Sequence, residues 1–397
     1  MKPTVRDHAT KLPLWVQFGA LWLAGIDLRV TLLCVPPVIP LLHRDLHLSE
    51  TAVGALAGAP VLLLGLAATP GALVIARLGA KRALVLGIAI VAVSSALRGA
   101  GTNAPTLFAM TLLMGAGIAG MQPAFPALVH EWYPSRITAA TGVWTNGLLA
   151  GEALAASLTI PLVLPLARGS WAWSFVIWAI PVAISGVLVA RLTPPDHHDI
   201  GDAPRAWVPN WGDKRLWQIG VFQCSASLIY FGANAFIPDY LQATQQATLI
   251  EPALTALNVG QLPASLVIGL LPWRIIGRAG ACVAIAALVA LALAGFLLVG
   301  GWPAVCAAAI FGFCAAYILA LSFALPAMVV EGPDVARMSA GVFTVSYLLA
   351  FAATVGAGAA WDATHVLASA FVPLAAAVVI LIGLGPIVTR SVRSARR

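Results

Sequence analysis

The chain has 397 residues, 60% of them hydrophobic and 9% charged, with a formal net charge of +7 and a mean hydropathy of +0.94. No soluble domain has an interior large enough to hide that much apolar side chain, so the composition excludes a soluble globular protein and points to an integral membrane one. The five cysteines (Cys34, Cys224, Cys282, Cys306, Cys314) all fall in apolar runs without metal-ligand spacing, which suggests neither a disulfide framework nor a zinc site.

The opening stretch "MKPTVRDHATKLPLW" carries both signs of charge and no small-residue cleavage pattern, so the first apolar run is expected to stay as a spanning helix. Apolar runs follow at 14–41, 51–76, 83–101, 105–129, 138–166, 171–190, 216–241, 251–273, 279–299, 303–329, 338–360 and 366–389. Each is near or above the ~20 residues a span requires, which predicts an all-α integral membrane protein with twelve transmembrane helices. If the N-terminus is cytoplasmic, 18 of the 22 Lys and Arg lie in cytoplasmic segments, leaving Arg44, Arg98 and Arg168 toward the far side and Arg29 within the membrane. The positive-inside rule then places both termini in the cytoplasm and accounts for the excess of base without nucleic acid.

The first run, "WLAGIDLRVTLLCVPPVIP", sets Asp27 and Arg29 near its midpoint. A charge at that depth costs about 2.5–3.5 kcal/mol even on lenient scales and needs a partner, a watery cavity or a proton. Two residues apart on a helix, the side chains point roughly 200° from each other, so they make a poor pair. The fifth run carries Glu152 at a similar depth, with Trp144, Leu148 and Glu152 at i, i+4 and i+8 on one face and the indole as an aromatic shelf two turns from the carboxylate. Arg29 is expected to face a central cavity with Glu152 or Asp27 balancing it; the competing reading is a buried Arg29–Glu152 bridge that only packs two helices. Two acids against one base leave one negative charge unbalanced, and a buried carboxyl without a partner favours its protonated form. One of Asp27 and Glu152 is therefore expected to carry a coupled proton. Arg98 and Asp239 are expected at the membrane interfaces, where long side chains snorkel.

Glu131 and Arg136 follow the fourth run, and Glu331, Asp334 and Arg337 follow the tenth. With Arg77 in the basic turn after the second run, they are candidates for a cytoplasmic gate latching the halves, or else ordinary solvated turns. The Pro-rich stretch 191–215 divides the chain into an N-terminal segment, 1–190, and a C-terminal one, 216–397, and its His197, His198, Asp199 and Asp202 read as solvated linker rather than metal ligands. In the seventh run Gln223, Ser227, Tyr230 and Asn234 form a polar stripe, and Asn258, Gln261 and Ser265 form another in the eighth. Such stripes either glue helices or line a cavity, and Tyr230, Asn234 and Gln261 are the strongest cavity candidates. Pro36, Pro37, Pro123 and Pro126 should kink the first and fourth helices.

Twelve helices, a six-plus-six division, weak echoes between the halves and the turn "ALVIARLGAKR" together resemble the major facilitator superfamily. The turn keeps Arg77, Gly79, Lys81 and Arg82 but has Ala76 where the family's acid would stand. "DLRVTLLCVPPVIPLL", "GAGIAGMQPAFPALVHEWYPSRITAATGVWTNGLLAGEALAASLTIPL", "WQIGVFQCSASLIYFGANAFIPDYL" and "MSAGVFTVSYLLAFAATVGAGAAWDATH" are similar to the cyanate and 2-nitroimidazole permease branch. Asp27, Val30 and Glu152 depart from that branch, which usually has a neutral residue, often a Pro, and a small residue there. The resemblance implies two six-helix bundles rocking about a central site, with helices one, four, seven and ten facing the pathway and two, five, eight and eleven contributing. That adds Gln122, Tyr317 and Tyr347 to the substrate candidates. It implies a monomeric secondary transporter in the lipid of a bacterial inner membrane, moving a small polar or anionic solute with protons; efflux of small neutral or cationic compounds such as nitroimidazoles is the alternative.

No phosphate-binding Gly-rich loop with its Lys and Ser/Thr is recognisable, so direct use of ATP is not expected, and no cofactor is implied. All seven histidines lie in loops or near helix ends, which leaves an intramembrane enzyme without a catalytic base at depth.

Overall fold

In hydrocarbon a backbone N–H or C=O finds no water, so each apolar run must satisfy its polar groups as a helix. The computed structural model describes residues 12–47, 56, 62–101, 103–195, 207–271, 277–332 and 334–395, and among them no strand occurs. Among the described residues ten helices are long and apolar enough to span: α1 (Leu14–Leu33), α3 (Ala80–Ala100), α4 (Ala104–Trp132), α6 (Trp171–Leu192), α7 (Lys214–Ala243), α8 (Ala247–Leu270), α9 (Ala279–Leu298), α10 (Trp302–Val329), α11 (Asp334–Trp361) and α12 (Leu367–Arg390). A further span, α5, runs from Ile137 and bends by 53° into Thr159–Leu166, and α2 is the apolar helix Ala68–Leu78. Each of the twelve expected runs carries a helix among the described residues, and 51–55 and 57–61 of the second run lie outside them. His197, His198, Asp199, Asp202 and the side chain of Asp239 lie outside the described residues.

Helices α1–α6 pack chiefly on one another, with α1 against α5 and α6 and α3 against α4 and α6; α7 packs against α10, α11 and α12 in the second bundle. Between the bundles, α5 meets α8, α2 meets α11, and α4 and α5 meet α10. Large apolar side chains left exposed, such as Val93 on α3, Ile184 on α6 and Val379 on α12, face outward where lipid solvates them.

Helix α1 is not continuous. Its regular part ends at Asp27, Leu28 and Arg29 bond back only three residues to Gly25 and Ile26 (3.2 and 3.0 Å), and the helix resumes at Val30–Leu33 before a 3₁₀ turn at Pro36–Val38. The Val35 N–H bonds to the Leu32 carbonyl at 3.5 Å and bypasses that of Thr31, so the Thr31 carbonyl needs other donors. Arg98 provides one: its Nη2 donates to the Thr31 carbonyl at 2.8 Å and to Ser95 Oγ at 3.0 Å, and its guanidinium lies over the Phe175 ring, 4.4 Å from the centroid. The expectation of a snorkelling interfacial Arg98 is therefore corrected: the side chain is fully buried, drawn inward by a carbonyl freed at the kink and by an aromatic face.

Candidate functional site

Three glycines bring the first acid–base pair together. A Cβ on Gly151 of α5 would fall 2.6 Å from the Ile26 carbonyl, and Cβ atoms on Gly25 and Gly147 would strike the carbonyls of Trp144 and Trp22. Only backbones without side chains at these points allow α1 and α5 to touch. That contact sets Arg29 Nε 3.1 Å from Glu152 Oε1, both side chains under 10% exposed. The Nε–H itself is not aimed at the oxygen and meets no acceptor among the described residues, so at this nitrogen the contact is one of charge.

The other carboxylate oxygen of Glu152 is served from the second bundle. Tyr230 donates to it from α7 at 3.2 Å and Gln261 Nε2 from α8 at 3.4 Å, while Asn258 Oδ1 competes for the same two donors at 3.0 and 3.3 Å. Tyr347 of α11 lies against Arg29, and its hydroxyl accepts from Gln122 Nε2 of α4 at 3.0 Å. One polar network thus joins α1, α4 and α5 to α7, α8 and α11 at mid-membrane.

This network floors a cavity of about 240 Å³ lined by Arg29, Glu152, Tyr230, Asn234, Gln261 and Tyr347. Its walls are apolar, including Leu32, Leu33, Met114, Phe231 and Leu319, and they rise along α1, α4 and α7 away from the side that carries the linker. On the linker side the bundles are shut. Trp144 is stacked between Phe125 of α4 and Phe323 of α10, each 4.7 Å away between ring centroids, which joins the two bundles through three rings. Asn146 donates to Ser265 at 2.9 Å, Thr69 and Thr344 hydroxyls meet at 3.1 Å, and His130 Nδ1 contacts the Ala327 carbonyl at 2.8 Å.

Of the sequence candidates, Arg29, Glu152, Tyr230, Asn234, Gln261 and Tyr347 line the cavity. The others are placed differently. Gln122 sits behind Tyr347 and holds its hydroxyl. Trp144 is completely buried in its stack, because its face of α5 is covered by rings from both bundles two turns from Glu152, and is a seal rather than a shelf. Tyr317 is turned toward Cys282 of α9. Asp27 points away from the cavity and accepts from Ser185 Oγ of α6 at 2.6 Å. At the proposed gate, Asp334 and Arg337 pair with each other at 3.0 Å within one turn of α11, while Arg77, Glu131 and Arg136 are exposed on that face. Sequence reasoning missed Ser185 and Phe323, a lone hydroxyl and a lone ring in apolar helices with no local pattern to mark them.

The sequence profile described as Major Facilitator Superfamily matches residues 18–354. The chain belongs to that superfamily. As a member it is a transporter of small solutes and not an enzyme. It is 26% identical over 373 residues to the uncharacterized transporter YycB of Bacillus subtilis, covering 92% of this chain and 91% of that one. The similarity to the cyanate and 2-nitroimidazole permeases is borne out: it is 24% identical to the cyanate transport protein CynX of Escherichia coli (62% of this chain, 63% of that one) and 22% to the 2-nitroimidazole transporter of the same organism (57% of each). The superfamily fold is also seen in the crystal structure of FucP in the outward conformation, with a TM-score of 0.69 at 13% identity over 94% of this chain and 98% of that one.

Proposed function

We propose that the protein moves a small polar or anionic solute across the bacterial inner membrane by alternating access, coupled to protons, with bundles 1–190 and 216–397 rocking about the cavity. The observation that carries this is the Arg29–Glu152 pair on the floor of a cavity closed on the linker side, at the level where both bundles contribute donors. With the linker and termini in the cytoplasm, as the distribution of basic residues supports, this is the outward-facing state.

An anion entering the cavity takes Arg29 from Glu152. A carboxylate abandoned by its cation in an apolar setting costs several kcal/mol, and a proton removes that cost. Glu152 is thus the coupling group, and the loaded, protonated site then closes outward and opens toward the cytoplasm. Because Arg29 and Glu152 already neutralise each other, proton-driven efflux of a neutral compound is the second reading, supported by that same balance. Solute flux in sealed vesicles with and without a pH gradient tests the proposal: anion accumulation on the acid-outside gradient supports it, and flux indifferent to the gradient refutes it.

A further inference from the structure

We infer that the solute carries a flat ring as well as its negative charge, and belongs to the single-ring aromatic monocarboxylates. This rests on the reading of the Arg29–Glu152 floor as the solute site and adds what the walls demand. The cavity measures about 240 Å³. A water molecule occupies about 30 Å³ in the liquid, and an apolar cavity of about 150 Å³ is enough to hold benzene. A three-atom ion such as cyanate would leave most of the space filled by water against Leu32, Leu33, Met114 and Leu319, whereas a ring bearing a carboxylate fills it. Phe231 stands edge-on to Tyr230 at 5.3 Å and offers an aromatic wall beside the polar floor. Binding sites of this kind combine mostly apolar lining with a few placed polar groups.

The charge follows from how the floor is wired. Arg29 Nε has no acceptor, so the guanidinium has donor capacity that the pair with Glu152 does not use. Glu152 keeps Tyr230 and Gln261 as donors if Arg29 turns to a ligand. A planar guanidinium fits a carboxylate with two parallel hydrogen bonds. Ala315 on α10 and Ala226 on α7 line the walls with methyl groups only, leaving width for a ring.

The test is direct binding to the purified protein by calorimetry, using benzoate, cyanate and 2-nitroimidazole as probes, with wild type, Arg29→Gln, Ala315→Leu and Ala226→Leu, each first shown monodisperse and helical. Benzoate is expected to bind at least tenfold more tightly than cyanate, and either leucine variant should weaken benzoate at least tenfold while changing cyanate less than threefold. Arg29→Gln should abolish benzoate binding. If cyanate binds as tightly as benzoate, or benzoate ignores both leucines, the ring is wrong and the Arg29 site stands. If 2-nitroimidazole binds more tightly than benzoate, the charge is wrong. Absence of saturable benzoate binding to folded wild type overturns the inference, and benzoate binding that survives in Arg29→Gln overturns the site itself.

Discussion

Asp27 and Arg29 stand two residues apart at the break in α1 and serve different parts of the protein: Asp27 accepts from Ser185 inside the first bundle at 2.6 Å, and Arg29 meets Glu152 at the cavity at 3.1 Å. The interrupted helix separates an acid that ties α1 to α6 from a base that lines the cavity. The balance of charges at the site is therefore one base and one acid, and the second acid lies outside it.

For Asp27 this predicts a positional role. Asp27→Asn keeps an oxygen for Ser185 and should transport with its proton dependence intact, whereas Asp27→Ala leaves the hydroxyl without its partner and should lose about 1–3 kcal/mol of stability. Thermal melts alongside vesicle transport check both; loss of gradient dependence in Asp27→Asn would move the coupling site to Asp27.

The Arg29–Glu152 pair should show strong coupling in a double-mutant cycle. Glu152→Gln strands a buried guanidinium, and losses of about 3–5 kcal/mol are typical when one partner of a buried pair is removed. Adding Arg29→Gln should restore much of that stability without restoring transport. Additive destabilisation by the two changes would mean that the residues act independently.

Closure on the linker side depends on α5 and α8 touching where both lack side chains. A Cβ on Gly142 would fall 2.6 Å from the Gly269 nitrogen. Gly142→Val should hold the bundles apart there, cut transport at least tenfold, and expose a cysteine placed at Ser265, in a background with the native cysteines changed to alanine, to a water-soluble maleimide. An unreactive cysteine and undiminished transport would show that this crossing does not govern closure.

Arg98 is predicted to support the kink of α1 rather than bind solute. Arg98→Met removes the charged donor to the Thr31 carbonyl, leaving it only the weak Cys34 thiol donor at 3.2 Å, and also removes the contact with Phe175, so the melting temperature should fall by the equivalent of about 1–3 kcal/mol. Ligand affinity should change less than threefold in a binding titration.

Much of this was legible in the chain. Twelve apolar runs gave twelve helices, since burial in lipid leaves backbone no other option. Charges at depth are so costly that Asp27, Arg29 and Glu152 stood out by their presence alone, and two of the three meet at the cavity. The polar stripes on α7 and α8 led to Tyr230, Asn234 and Gln261 by helical spacing. What stayed hidden depended on tertiary neighbours. Nothing local says that Ser185 would reach Asp27, that the Thr31 carbonyl, bypassed by the Val35 N–H at the break in α1, would draw Arg98 inward, or that Phe125 and Phe323 would cover Trp144 from opposite bundles. Helical spacing placed Trp144 and Glu152 on one face but not at one depth of exposure: the indole lies in the closed half and the carboxylate at the edge of the open one.

The most direct test of the central claim is anion uptake into proteoliposomes under an imposed pH gradient, comparing wild type with Glu152→Gln, and with counterflow exchange measured on the same preparations. The account predicts that the gradient drives accumulation through wild type, that Glu152→Gln loses gradient-driven accumulation at least tenfold, and that the variant still exchanges solute. Gradient-driven accumulation that persists undiminished in Glu152→Gln would contradict it.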